Sequence, residues 1–311
     1  MLDVRRLRVL SEVAARGSFS AAAHALTLTQ SAVSQHVSAL EREVGLALVE
    51  RGTRPVELTE AGHALVRHAT GILARLDGAE QELGEIAGRR RGRLRFGSFP
   101  TALATLVPPA FAQFRRRHPD VTLTMVDDHL QRLIPRLDAG ELDLALIYDH
   151  EALPEIGVRD LERIPLLDDV FRAVLPAGHR LARRRRPLGL SDLSGEPWIG
   201  GAPTSAWYRI VGHACKLAGF TPQAGYSSDD PHAIQALIAA GLGVSVIPGL
   251  AVAHPLPGVE VRTLGTGAPV RHIFAALPRD AYRGPAVPVM LESLRAAAQA
   301  LAVTADRRDA T

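Results

Sequence analysis

Residues 18–45 read Ser18-Phe19-Ser20-Ala21-Ala22-Ala23-His24-Ala25-Leu26-Thr27-Leu28-Thr29-Gln30-Ser31-Ala32-Val33-Ser34-Gln35-His36-Val37-Ser38-Ala39-Leu40-Glu41-Arg42-Glu43-Val44-Gly45. Ser18 is placed to cap a short alanine-rich helix from Phe19 to Leu26. Thr27-Leu28 makes a tight turn, Thr29 caps a helix running to about Glu43, and Gly45 stops it. Two short helices a few residues apart, the second polar on its outer face, form the helix-turn-helix pattern.

Upstream, Leu2, Leu7, Leu10 and Val13 recur at close to helical spacing, with Asp3 as cap and Gly17 as stop. Downstream, Leu46 to Glu50 and Val56 to Leu58 read as two short strands. The stretch Arg51-Gly52-Thr53-Arg54-Pro55 is their turn. This is a wing with arginines at its tip. Thr59 then caps one long helix. Its apolar and small positions are Leu58, Ala61, Leu65, Ala69, Ile72, Leu76, Ala79, Leu83 and Ile86, a near-heptad seam that predicts a self-partner. Gly88-Arg89-Arg90-Arg91-Gly92 breaks the helix as a solvated hinge.

From residue 93 onward apolar strands alternate with amphipathic helices. Strands are predicted at Leu94 to Gly97, Val121 to Val126, Leu142 to Tyr148, Phe171 to Leu175, Val244 to Ile247 and Val270 to Leu277. Helices are predicted at about Leu103 to Arg117, Leu130 to Ala139, Ala206 to Ala218, His232 to Ala240 and Ala286 to Ala300. Strands this apolar suit a parallel sheet covered on both faces. Two α/β lobes with a cleft between them satisfy the pattern.

Composition narrows the function. Of 311 residues 47% are apolar and 22% charged, so the chain can bury real cores. A single cysteine, Cys215, excludes an internal disulfide and a cysteine-based zinc cluster. The balance of 36 basic to 33 acidic residues is too even to argue for nucleic acid by itself. No run approaches the ~18 uninterrupted apolar residues of a membrane span. Met1 to Leu10 carries Asp3, Arg5, Arg6 and Arg8 in place of a secretion signal's apolar core. A cytoplasmic protein with no membrane partner is the expectation.

The ordered string resembles the LysR-type transcriptional regulators across nearly the whole chain. The resemblance rests on Phe19 to Ala23, Leu28 to Glu41, Gly45, Leu48-Val49-Glu50-Arg51 and Leu58-Thr59-Glu60-Ala61-Gly62. Weaker matches are Gly140-Glu141-Leu142-Asp143-Leu144-Ala145 and Gly241-Leu242-Gly243-Val244-Ser245-Val246-Ile247-Pro248. It implies an N-terminal winged helix-turn-helix, mainly α, then a long linker helix. An α/β two-lobed effector domain like periplasmic binding proteins follows. The expected boundaries are 1–58 for the DNA-binding domain, 59–92 for the linker, and 93–311 for the effector domain. Lobe I is then about 93–165 with 267–300, and lobe II about 166–266. The resemblance also implies a homodimer, assembling to a homotetramer.

A recognition helix presents its first residues to base edges in the major groove. Thr29, Gln30, Ser31, Ser34 and Gln35 occupy those places, and glutamine can address adenine bidentately. Arg51 and Arg54 of the wing are expected on phosphate or in the minor groove. In α/β lobes ligands bind beyond strand ends, where helix N-termini point. Ser98-Phe99-Pro100-Thr101, His129, Ser205 and Ser228 are the expected effector contacts, suited to a carboxylate. Trp207 and Tyr208 could form an apolar wall to the site. Asp127-Asp128-His129 does not read as a metal site, since neighbours on a strand face opposite ways. No catalytic motif is present, so no enzyme activity and no cofactor are expected. The expected function is a sequence-specific regulator of double-stranded DNA controlled by a small-molecule effector. The competing reading is a periplasmic-type binding protein without a DNA role.

Overall fold

The computed structural model describes residues 1–50, 55–87, 92–153, 161–279 and 283–309. Three helices open the chain: α1 (Val4–Arg16), α2 (Phe19–Leu26) and α3 (Gln30–Val44). Their ends follow local chemistry. Asp3 accepts from the Arg5 amide at 2.7 Å, Ser18 Oγ from Ala21 at 3.3 Å, and Thr29 Oγ1 from Ala32 at 3.2 Å. Gly17 and Gly45 stop α1 and α3 with φ of 59° and 73°. Leu7, Leu10, Val13, Val33, Val37 and Leu40 form the core these helices share.

The two wing strands shrink to a single bridge between Val49 and Leu58. The preceding segment is held by other partners. Leu48 N–H donates to the Glu41 carboxylate at 2.9 Å, and the Ala47 carbonyl takes the Thr59 hydroxyl at 2.7 Å. Arg51 and Arg54 lie outside the described residues.

Helix α4 spans Glu60–Ile86, with Thr59 Oγ1 accepting from Gly62 N–H at 3.0 Å as its cap. The expected continuous seam divides. Ala61, Leu65 and fully buried Ala69 complete the core of the N-terminal domain, because three short helices cannot cover it alone. Beyond them Ile72, Leu76 and Leu83 are 41%, 41% and 66% exposed. Only this second half is free to meet another chain.

The C-terminal unit runs β1 (Arg93–Ser98), α5 (Pro100–Thr105), α6 (Val107–Arg117), β2 (Thr122–Asp127), α7 (Leu130–Asp138), β3 (Leu144–Asp149), β4 (Leu161–Pro176), β5 (Trp198–Gly200), α8 (Ala206–Leu217), β6 (Ala224–Ser227), α9 (Pro231–Ala239), β7 (Ser245–Pro248), β8 (Val259–Thr263), β9 (Val270–Pro278) and α10 (Ala286–Asp309). The helix expected at 103–117 is two helices. Pro108 and Pro109 have no N–H to continue the ladder across Leu106.

The sheet is mixed, not parallel. Its order is β2-β1-β3-β9-β4-β7, with β8 also on β4. Only β2-β1-β3 is parallel; β9 returns antiparallel between β3 and β4. Edge strand β2 is largely exposed, so one end of the sheet is uncovered. Strand β4 is far longer than the expected five residues. Leu161 to Val170 pairs with β9, and Phe171 to Val174 pairs with β7. Charges at Glu162, Arg163, Asp168 and Asp169 disguise its first half. Thus β4 and β9 carry the chain between two lobes, each with its own core.

Two glycine-containing motifs have structural causes. Gly140 (φ 69°) lies where a Cβ would stand 2.6 Å from Cβ of Ala74 on α4, so this turn rests on the linker helix. A Cβ on Gly243 would lie 2.6 Å from the Pro197 carbonyl oxygen. Helix α10 is apolar enough over Ala286–Thr304 to match a membrane span by length and composition. Its buried face, with Ala286, Val287, Met290, Leu294 and Ala297, instead packs into the lobe I core.

Candidate functional site: a DNA-facing helix and an interlobe cleft

On α3 the apolar positions Val33, Val37 and Leu40 face inward, which turns the opposite side to solvent. Thr29, Gln30, Ser31 and Gln35 are exposed there, and Ser34 is half-buried. The Thr29 and Ser31 hydroxyls lie 3.0 Å apart, which orders the first turn. Gln30 and Gln35 thus stand free at the end of the helix where base edges would be met.

The second arrangement lies between the lobes. A cavity of about 80 Å³ is lined by Phe99, Pro100, Thr101, His129, Tyr148, Ser205, Trp207, Asp229 and Arg271. Five of the seven residues expected from sequence meet here: Phe99, Pro100, Thr101, His129 and Ser205. Ser98 does not. It ends strand β1 facing the core, fully buried, and its hydroxyl donates to the Phe99 carbonyl at 3.2 Å. Ser228 also stays outside the lining; its Oγ accepts from Asp230 N–H at 3.1 Å. Its neighbour Asp229 takes the place, anchored by Ala202 N–H at 3.0 Å.

Thr101 is not a helix cap. Its Oγ1 accepts from Arg271 Nη2 at 2.6 Å. Arg271 is the residue that sequence reasoning missed. Its guanidinium is 5% exposed and meets Asp169 through Nε at 2.8 Å and Nη2 at 2.7 Å. It lies 4.9 Å from the centroid of the Phe99 ring and 4.8 Å from that of Tyr148. Burial pushes the Tyr148 phenol above its usual pKa, and the nearby Arg271 charge works against that rise. An arginine inside the apolar run Val270 to Leu277 was the available signal. Trp207 walls the cleft with its indole N–H donating to the Val246 carbonyl at 2.8 Å, whereas Tyr208, expected beside it, is exposed and does not line the cleft. Asp128 accepts from His129 N–H at 2.9 Å. The cleft therefore offers the guanidinium of Arg271, paired with Asp169, and a hydroxyl on one side, Asp229 on the other, and aromatic walls.

Residues 4–63 match the model of the bacterial regulatory helix-turn-helix protein of the lysR family, and residues 87–299 match the LysR substrate binding domain. The chain is a LysR-type transcriptional regulator. It is a sequence-specific DNA-binding protein governed by a small-molecule effector, and its family works as oligomers. The helix-turn-helix sets aside the binding protein without a DNA role.

Among its relatives, the regulator TtuA of Agrobacterium vitis is 30% identical over 94% of this chain and 96% of its own. A probable hydrogen peroxide-inducible genes activator of Mycobacterium xenopi is 37% identical over 58% of this chain and 93% of its own. A full-length OxyR variant from Pseudomonas aeruginosa has the same fold, with a TM-score of 0.75, 26% identity and 95% of each chain covered. In this LysR-type regulator the single thiol, Cys215, is buried on α8, and burial pushes its pKa up to about 12. A thiol so protonated is a poor nucleophile toward peroxide.

Proposed function

We propose that this LysR-type regulator reads double-stranded DNA through Gln30, Ser31, Ser34 and Gln35, with Thr29 ordering the helix start. Arg51 and Arg54 contact phosphate or the minor groove. In this reading the effector is a small carboxylate held in the interlobe cleft beside Thr101. The regulator acts in the cytoplasm as a homodimer through the free half of α4, and as a tetramer built from it. The DNA-binding unit is 1–58, the linker 59–92 and the effector domain 93–311.

The observation that carries the effector reading is Arg271. It places a guanidinium against the cleft with Thr101 as its hydroxyl neighbour, and charge-assisted bonds from such a pair favour an anion. The cavity is well under the ~300–1,000 Å³ of drug-sized pockets. A larger effector therefore enters as the lobes part about β4 and β9.

Two measurements test these assignments. In gel shifts with DNA from upstream of its own gene, Gln30→Ala loses about 1–3 kcal/mol of discrimination between native and mutated sites. Its melting temperature stays unchanged, since the side chain is exposed. Equal loss on every sequence would instead make Gln30 a phosphate contact. In thermal-shift screening of small carboxylates on the full chain, the compound that stabilises wild type fails to stabilise Thr101→Ala. A compound that stabilises both proteins equally binds outside the interlobe cleft, and a screen that yields only such compounds would remove Thr101 from the effector site.

A further inference from the structure

Behind strands β4 and β9, the hinge between the lobes, lies a second and larger cleft, of about 580 Å³. That is the size of a small-molecule pocket. It is lined by His150 and Glu151 after β3, by Leu190 and Ser191, by His213 on α8 and by His272 on β9. Successive strand residues face opposite ways. Arg271 points into the interlobe cleft, and its neighbour His272 points into this one. The same holds one strand over, where Asp169 meets Arg271 and Asp168 meets His272 Nδ1 at 2.7 Å. The two clefts stand back to back across the strands that join the lobes.

The polar wall carries three imidazoles, with Glu151, Ser191 and Thr266 beside them. His150 Nδ1 accepts the Ala152 N–H at 3.0 Å, which leaves the ring proton on Nε2. His213 Nε2 lies 3.4 Å from a Glu151 carboxylate that is 74% exposed. An exposed pair of this kind is worth little and exchanges readily. The other charged groups are engaged: Asp149 with Arg163 at 3.0 Å and Asp168 with His272. Leu190, Ala214 and Val270 supply an apolar floor. Among the described residues no three His, Cys, Asp or Glu side chains are placed to hold a metal ion. Imidazole donors beside an apolar floor suit an organic anion.

We propose that this cleft is a second ligand site, taking a small carboxylate with a flat apolar body against His150 of one lobe and His213 of the other, whose rings meet edge to face with centroids 6.5 Å apart. A ligand there bridges the lobes behind the hinge, so it biases the interlobe cleft, and an effector in that cleft biases it in return. Burial lowers the pKa of His150, which favours its neutral ring. A bound carboxylate favours the imidazolium, whose added proton, taken from solvent, sits on Nδ1 and displaces the Ala152 N–H, so binding takes up a proton and tightens as pH falls. For one proton the limit is about tenfold per pH unit.

Calorimetry of the full chain with phenylacetate at pH 6 and pH 8 tests the site. Wild type and Thr101→Ala are expected to bind alike, at least tenfold more tightly at pH 6. His213→Ala, and Ser191→Trp, which fills the mouth from an exposed position, are expected to weaken binding at least tenfold with unchanged melting temperature. The proposal is overturned by no saturable heat at pH 6, by an affinity independent of pH, or by binding unchanged in both cleft variants. Loss confined to Thr101→Ala would assign the anion to the interlobe cleft and overturn it equally.

Discussion

Asp169→Ala lowers the stability of the effector domain by about 3–5 kcal/mol, the cost of leaving a buried charge without its partner. Arg271 and Asp169 are 5% and 3% exposed, and no solvent replaces the lost carboxylate. Asp169 also holds the loop after β7, accepting the Leu250 N–H at 2.9 Å. One side chain thus ties together β4, β9 and the entry to the interlobe cleft. Replacing both partners, as in Asp169→Leu with Arg271→Met, is expected to recover most of the loss, because no charge then stays buried. Urea unfolding followed by tryptophan fluorescence checks this, since both tryptophans, Trp198 and Trp207, lie in the second lobe. A loss under about 1 kcal/mol would mean that the pair is solvated.

Leu76→Arg separates the dimer. Ile72, Leu76 and Leu83 form an apolar stripe on α4 that its own chain leaves exposed. The steps from Ile72 through Leu76 and Ala79 to Leu83 are four, three and four, the spacing of a two-helix seam. An arginine at its centre buries a charge without a partner, at about 3 kcal/mol or more, which raises the dimer dissociation constant at least about 100-fold. Sedimentation of the full chain is expected to show monomer at concentrations where wild type is dimeric. Affinity for a two-half-site operator falls with it, because a monomer spans one half-site. An unchanged sedimentation coefficient would place the dimer contact elsewhere, with the exposed edge strand β2 as the next surface to test.

The effector site was legible in part. Phe99, Pro100, Thr101, His129 and Ser205 could be found because each sits at the junction of a strand end or loop with a helix start, and such junctions show in sequence. Arg271 and Asp169 could not be found this way. They lie 102 residues apart, and each resembles an ordinary charge at a strand edge until the lobes close around both. Ser98 failed for the converse reason. Its place in the chain fits a binding turn, but strand alternation points it into the core.

What the sequence by itself determined about this protein is what acts within a few residues. Asp3, Ser18, Thr29 and Thr59 bond amides two or three positions away, so the helix starts were readable before any tertiary contact was known. The apolar spacing likewise marked most helices and strands β1, β2, β3, β7 and β9, but not β5, β6 or β8. Only the tertiary structure decided that β9 runs antiparallel between β3 and β4, and that the seam of α4 is shared between its own domain and another chain. It also decided that Thr101 serves Arg271, 170 residues distant, and not a helix end. Local hydrogen bonds are chosen by nearest neighbours along the chain. The pairing of distant strands and the partner of a buried charge are chosen by which surfaces close on each other, and one-dimensional spacing carries no record of that choice.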